Sequence, residues 1–327
     1  MEKILIIKLG ALGDVVRTLP IAEALHKKFP SSQITWVTKP NAVEIFNNNP
    51  FIKKVQSIPF QSSEEFTKLF NFDIENEATE LAIKIKAKEK FGFYSDSNFP
   101  MAFNTGSEYY INTIFDDQLK KANKKTMQEM MFDVAELKYE KILPKIYLTQ
   151  KEVLTGKEFI SKNNIKSKII GIHIGGGGER WPSKEWHLDK IVELIKELKK
   201  HNLEILVFGG PNEIKKIEIV KDKLKKDNIK ILTNNPHNTI REFCLLINIC
   251  DNVVTMDSFS MHIATALNKE VVSLFFCTPS VEVESYGLIK KITSPLLFDF
   301  FPERMDQYDE TLVNSIKVKQ VLDALGV

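Results

Sequence analysis

At 327 residues, 43% of them apolar and 27% charged, the chain is globular and long enough for two domains, since single cores stop growing near roughly 250–300 residues. Its 45 Lys+Arg and 43 Asp+Glu nearly cancel, and they do so in both halves: 20 against 19 over residues 1–150 and 25 against 24 beyond. That balance excludes a basic nucleic-acid footprint and an acidic tail. Cys244, Cys250 and Cys277 are too few for a disulfide framework and lack the C-x-x-C spacing of a metal site, so they read as buried thiols in a reducing compartment. The only apolar run near the start, "ILII", ends at Lys8 and Gly10. It is too short for a signal peptide, and no run reaches the roughly 18 residues of a membrane span, so a cytoplasmic protein is expected.

Taken in order, short β-branched runs alternate with helical patterns, the signature of parallel α/β units. "KILIIK" reads as a buried strand, "GALGD" as a tight turn, and "VVRTLPIAEALHKKF" as a helix that Pro20 should kink or restart near Thr18. "QITWVTK" is a second strand, and "VEIFNNNPFIKKV" a helix and loop leading into a third. "FDIENE" looks like a strand end, and "EATELAIKIKAKEK" like a helix. Residues 91–125 carry aromatic and Gly/Pro punctuation without periodicity and read as a long loop region. Near residue 150 the plan restarts: "KSKIIGIHIGGGG", "PSKEWHLDKIVELIKELKKH", "LEILVFGGPNE", "IKILTN", "TIREFCLLINIC", "DNVVTMD", "SMHIATAL" and "KEVVSLFFC" continue the alternation. The expectation is two doubly wound sheets in tandem, residues 1–150 and 151–327, with ligands beyond the carboxyl ends of the strands.

The glycine- and acid-rich turns fall at those ends. In "GALGD", Gly10 and Gly13 allow close backbone approach, and the following helix offers unpaired N–H groups. Asp14 there is either a cap or first-turn acid of that helix or a base aimed at a substrate; the turn alone does not choose. A dinucleotide site is disfavoured, because the third glycine of G-x-G-x-x-G is missing and strand two ends "WVTK" without a ribose-binding acid. The run Gly175, Gly176, Gly177 and Gly178 forms a loop of bare N–H groups suited to an anion, with Arg180 adding a fork of donors. Trp181 and Trp186 read as packing residues, His173 as a core histidine. Glu213, opening a helix after Gly209 and Gly210, can accept ribose hydroxyls or complement the helix dipole. In "VVTMDSFSMHIATAL", Asp257 ends a strand, Ser258 and Ser260 are candidate caps, and His262 lies in the first turn, an arrangement suited to a diphosphate. No nucleophile elbow accompanies them, which argues against a hydrolase.

Four blocks in order, "KLGALGDVVRTLPIAEAL", "GGGGERWPSKEW", "GGPNE" and "MDSFSMHIATAL…VVSLFF", together resemble glycosyltransferase family 9, the lipopolysaccharide heptosyltransferases and their relatives, of the GT-B fold. The resemblance implies two Rossmann-like domains facing across a cleft, the first for the acceptor and the second for the donor, with the last helix returning to the first. It implies inverting, metal-independent transfer of a sugar, typically heptose from ADP-heptose, to a saccharide or glycolipid acceptor such as lipopolysaccharide core. Asp14 matches the family's general base, Asp257 and His262 match donor-binding positions, and Glu213 matches an acid near the nucleoside. No cofactor, metal or nucleic-acid partner is expected, and no D-x-D is present to hold a cation. The departures bear on the donor. The family's Lys before Arg-Trp-Pro is Glu179 here, so a phosphate or sugar contact is lost or passes to Arg180. Asp-Thr-Gly becomes Asp257-Ser258-Phe259, and Phe-Gly-Pro-Thr becomes Phe275-Phe276-Cys277-Thr278. A different nucleotide sugar, or binding without turnover, are the alternatives. The lysines of "AIKIKAKEK" and "KKANKK" read as solvated helix faces, the other reading being an anionic acceptor or peripheral contact with the membrane surface.

Overall fold

The protein is described here from a computed structural model covering residues 1–176 and 178–327. Its backbone forms two units, Met1–Tyr147 with Val281–Glu284, and Leu148–Ser280 with Ser285–Val327.

Unit 1 is built on β1 (Lys3–Ile7), β2 (Gln33–Thr38), β3 (Lys54–Ser57), β4 (Phe66–Asn71), β5 (Ala87–Asp96) and β6 (Phe99–Ala102), in the order β3-β2-β1-β4-β5-β6. All neighbours are parallel except the antiparallel pair β5–β6. Ile4, Leu5, Ile6 and Ile7 are all buried, as expected of a central parallel strand covered on both faces. The helix after it breaks as Pro20 requires: Leu12–Thr18 ends, and Pro20 opens a second helix, Pro20–Lys28. At the first helical position the missing N–H costs no hydrogen bond.

Two expectations for this unit fail. The helix read over residues 77–90 stops at Lys84, and Ala87–Lys90 instead open β5, paired with β4 through Phe66↔Ala87 and Leu69↔Lys90. The stretch "IKIKAK" alternates apolar and charged residues, and that period of two belongs to a strand. Residues 91–125 are not a loop region. They hold the rest of β5, a hairpin into β6, and the helices Glu108–Phe115 and Asp117–Ala122. Ser97 and Asn98 both take positive φ (51° and 68°) at the hairpin tip, the conformation of a two-residue turn that matches strand twist. Asp116 caps the last of these helices, accepting from the N–H groups of Gln118 and Leu119.

Unit 2 repeats the plan with β7 (Ile169–His173), β8 (Glu204–Phe208), β9 (Leu232–Thr233), β10 (Asn252–Met256), β11 (Glu270–Phe275) and β12 (Ile289–Thr293). Here the order is β12-β11-β10-β7-β8-β9 and every pair is parallel. Helix Leu188–Lys199 buries Ile191, Val192, Leu194, Ile195 and Leu198, a 3.6-residue stripe against the sheet. Thr149 and Thr239 begin Gln150–Lys162 and Ile240–Asn248 with reciprocal capping boxes to Glu152 and Glu242. Arg241 joins these two helices through a two-pronged ion pair with Glu152 (2.6 and 2.7 Å). The last helix, Val318–Leu325, was expected on the first domain. It belongs instead to unit 2, where Val318 and Val321 are buried in the core shared with Leu194, Leu198 and Leu274. The return to unit 1 is made by Val281–Glu284: Glu284 accepts from the Tyr139 hydroxyl at 2.9 Å.

Strand order reverses between β1 and β4 in unit 1 and between β7 and β10 in unit 2. Such switch points open a crevice at the carboxyl ends of the strands, where doubly wound sheets bind ligands.

Candidate active site

At the switch point of unit 1, β1 delivers Lys8 and β4 delivers Asp73. Both side chains are buried and ion-paired at 2.9 Å. The second oxygen of Asp73 accepts from the Leu9 and Gly10 N–H groups, so one carboxylate shapes the whole glycine turn. Asn71 locks that carboxylate's own backbone, accepting from the Asp73 N–H and donating to its carbonyl. Burial works to lower the Lys8 pKa, but the charges of Asp73 and Asp14 outweigh it and raise it, so the ammonium persists in the interior. Burial pushes the Tyr110 phenol up, beside the same charges.

Beyond the turn, Ala11 takes the N-cap position of Leu12–Thr18 without a side-chain cap bond, and Gly13 and Asp14 follow as its second and third residues. The Asp14 carboxylate pairs with Arg17 at 2.6 Å and is 34% exposed. The first-turn placement is therefore real, and the partly exposed carboxylate is held by a neighbouring guanidinium. A positioned, accessible acid of this kind can take a proton from a hydroxyl.

At the switch point of unit 2, Asp257 follows β10 and receives an ammonium, Lys184, at 2.9 Å and the Thr278 hydroxyl at 2.8 Å. Burial alone would raise its pKa; Lys184, His262 and Thr278 together hold it far below the usual carboxylate range. His262 is buried one turn into helix Phe259–Ala266. Ser258 occupies the N-cap position but makes no side-chain cap bond. Its hydroxyl lies in a ring with those of Thr255 and Ser260, at 3.1, 2.7 and 2.5 Å around the triangle. The capping role expected of Ser258 and Ser260 is thus replaced by a hydroxyl cluster under the helix N-terminus.

Glu213 sits at the head of helix Ile214–Lys225 as its N-cap residue. One oxygen accepts from the Gly210 N–H at 2.9 Å, while the other faces Gly175, where an added Cβ would lie 3.0 Å from it. Gly175 is needed because this acid fills the space a side chain would take, and Gly209 is pressed by the Glu213 Cβ in the same way (2.6 Å). Gly176 donates to Glu185 at 3.3 Å. Gly177 lies outside the described residues. Arg180 is exposed, its guanidinium 5.0 Å from the centre of the Trp181 ring. The cation at Asp257 is Lys184, which the reading of the sequence did not single out. Trp186 is buried and donates to the Ile316 carbonyl. Behind the glycine run lies a pocket of about 180 Å³ whose wall includes His173, Gly209, Gly210, Asn234, Phe243 and Phe259. Among the described residues no group of three or more His, Cys, Asp or Glu is arranged to hold a metal ion, and no helix is long and apolar enough to cross a membrane.

The profile of glycosyltransferase family 9 (heptosyltransferase) matches residues 77–295. The chain belongs to this family. As a family 9 glycosyltransferase, it is 24% identical over 299 residues to lipopolysaccharide heptosyltransferase 1 of Campylobacter coli, with 85% of each chain covered. Its fold is similar to that of the family 9 glycosyltransferase from Veillonella parvula (TM-score 0.78, 17% identity, 99% of this chain and 96% of that one). It is also similar to that of E. coli ADP-heptose lipopolysaccharide heptosyltransferase II (TM-score 0.73, 15% identity, 99% and 97%). The GT-B-like architecture and the glycosyltransferase class expected from the four sequence blocks both hold. Three of the blocks begin at the two switch points and "GGPNE" follows the neighbouring β8; the residues that sequence reasoning did not single out lie beside them: Asp73 and Lys184. Asp73 stood inside "FDIENE", a strand end carrying an acid, which was the available signal.

Proposed function

We propose that this family 9 glycosyltransferase moves a heptose from ADP-heptose to a saccharide of a lipopolysaccharide core, with inversion at the anomeric carbon. The observation that carries the reading is Asp14, an accessible acid on the first helical turn beyond the glycine loop of unit 1. Asp14 takes the proton of the acceptor hydroxyl as that oxygen bonds to the anomeric carbon. The bond from the same carbon to the diphosphate oxygen breaks, and ADP leaves. In unit 2 the Lys184 ammonium and the N–H groups heading helix Phe259–Ala266 meet the diphosphate charge. Asp257, Ser258 and His262 line this donor position, and the second oxygen of Glu213 takes a ribose hydroxyl. Gly175 and Gly176 leave backbone exposed beside it, and Arg180 stays at its rim. The similarity to lipopolysaccharide heptosyltransferase 1 and to ADP-heptose lipopolysaccharide heptosyltransferase II supports this choice of donor and acceptor. The acceptor belongs to unit 1, and the work is done at the cytoplasmic face of the membrane.

Phe259, which stands where the family pattern has glycine, lines the pocket, and this favours a second reading with a different nucleotide sugar. The test is transfer from ADP-heptose, with UDP- and GDP-sugars in parallel, by wild type and Asp14→Asn. The expected result is a wild-type rate with ADP-heptose alone, and a drop of about 10²–10⁴ in kcat for Asp14→Asn with ADP affinity unchanged. Full turnover by Asp14→Asn overturns the assignment of the base, and a wild type that prefers UDP- or GDP-sugars overturns the assignment of the donor.

A further inference from the structure

The pocket behind the glycine run raises a question of polarity. Its side-chain amides have few donors to spare: Asn234 gives its N–H groups to Gly209, Asn235 and Asn238, and Asn238 donates to the Thr239 carbonyl. Two side-chain acceptors remain without a hydrogen-bond partner among the described residues. One is the outer oxygen of Glu213. The other is Nε2 of His173, whose Nδ1 lies 2.9 Å from the Gly175 carbonyl. A carbonyl only accepts, so Nδ1 carries the proton and Nε2 is left as a bare lone pair. Both groups border Gly175: an added Cβ there would lie 3.0 Å from the Glu213 oxygen and 3.1 Å from Cε1 of His173.

The wall around this lone pair is flat and aromatic. Phe243 meets the His173 ring edge-on (6.1 Å, 72°) and stacks with Phe259 (5.9 Å, 21°). A planar ligand that carries an N–H or O–H toward Gly175 fits both the surface and its polarity. Burial lowers the His173 pKa to about 4, against the weaker raising effect of the Gly175 carbonyl and Glu185 and with Lys216 adding to the lowering. The acceptor is therefore available at neutral pH.

We propose that His173 is a nucleoside-reading residue, its Nε2 accepting a hydrogen bond from a donor group of the nucleoside seated against Phe243 and Phe259. The inference rests on the nucleotide-sugar reading above. The donor group is either the exocyclic amine of the base or a ribose hydroxyl, and matched ligands separate the two. Calorimetric titrations with ADP, inosine diphosphate (amine replaced by carbonyl) and 2′- and 3′-deoxy-ADP are run on wild type, His173→Phe and His173→Gln, each checked for folding by circular dichroism. For wild type, one analogue binds at least tenfold more weakly than ADP. His173→Phe loses about tenfold for ADP and little for that same analogue, because the missing bond is then absent from both sides. His173→Gln, which keeps an acceptor, stays within about threefold of wild type for ADP. Equal weakening of every ligand by His173→Phe, or none, overturns the assignment of His173 while leaving the donor reading intact. A wild type that binds no adenine nucleotide overturns both.

Discussion

Replacing Lys184 with Met tests whether the ion pair at the end of β10 holds unit 2 together as its geometry implies. The substitution keeps the length of the aliphatic stem and removes the ammonium that lies 2.9 Å from Asp257. Breaking a buried pair by deleting one partner costs about 3–5 kcal/mol, because the other charge is left unpaired. Here the Asp257 carboxylate keeps the Thr278 hydroxyl at 2.8 Å, and the two side chains are 14% and 16% exposed. Water therefore offsets part of the loss, and a cost of about 2–3 kcal/mol is expected. A unit of this size shifts by about 2–4 °C per kcal/mol, so its transition should fall by about 4–12 °C in scanning calorimetry. Asp257→Asn should also destabilise, by stranding Lys184. The double variant should recover at least about 1 kcal/mol relative to the sum of the singles, since neither charge then remains. A transition for Lys184→Met within about 1 °C of wild type, or strict additivity in the double variant, would refute the reasoning.

The same site and its neighbour set the acid limb of stability. The folded-state pKa of His173 is lowered from 6.5 to about 4, so the unfolded chain binds a proton first as pH falls. Stability from this group is full above about pH 6.5 and declines toward pH 4, by up to about 3 kcal/mol. Urea midpoints from pH 7.5 to 4 should show this decline, and His173→Phe should flatten it. Asp257 adds a further loss only as pH falls below the ordinary aspartate value of 3.8, because its folded pKa is the lower one. In unit 1, Gly92→Ala places a methyl 1.8 Å from the Asn71 carbonyl oxygen at a φ of +92°. Insoluble or unfolded protein is expected on expression, and a well-folded variant would show that the β4–β5 register yields more easily than the contact implies. Asp73→Asn leaves the buried Lys8 ammonium without its counter-charge, and a loss of about 3–5 kcal/mol should appear in denaturant melts.

Where the sequence was legible, one physical period dominated. The central strands β1, β7, β10 and β11 were readable from their aliphatic, β-branched runs, and most of their residues are buried, as parallel strands covered on both faces require. The Pro20 break was readable from covalent geometry alone. Ala87–Lys90 were misread because a window over 77–90 mixes a helix end with a period of two, and the pairing partner of β5 is about twenty residues away. The β5–β6 hairpin was missed because its turn uses Ser97 and Asn98 at positive φ without the glycine that usually announces one. Of the candidate site, Asp14, Glu213, Asp257 and His262 were singled out because they lie in or just after the turns that follow strands. Lys184 was not, because its meaning depends on a carboxylate 73 positions downstream. His173 read as a core residue because it lies within a strand, and its place in the pocket wall depends on residues more than thirty positions downstream.

The four residues Val281–Glu284 have a consequence for synthesis. They belong to the first unit, yet the ribosome makes them only after most of the second. At about 5–20 residues per second, the nascent first unit waits roughly 7–30 s after residue 147 before Glu284 arrives. During that interval the Tyr139 hydroxyl lacks its native acceptor. A chain ending at residue 147 lacks that acceptor altogether.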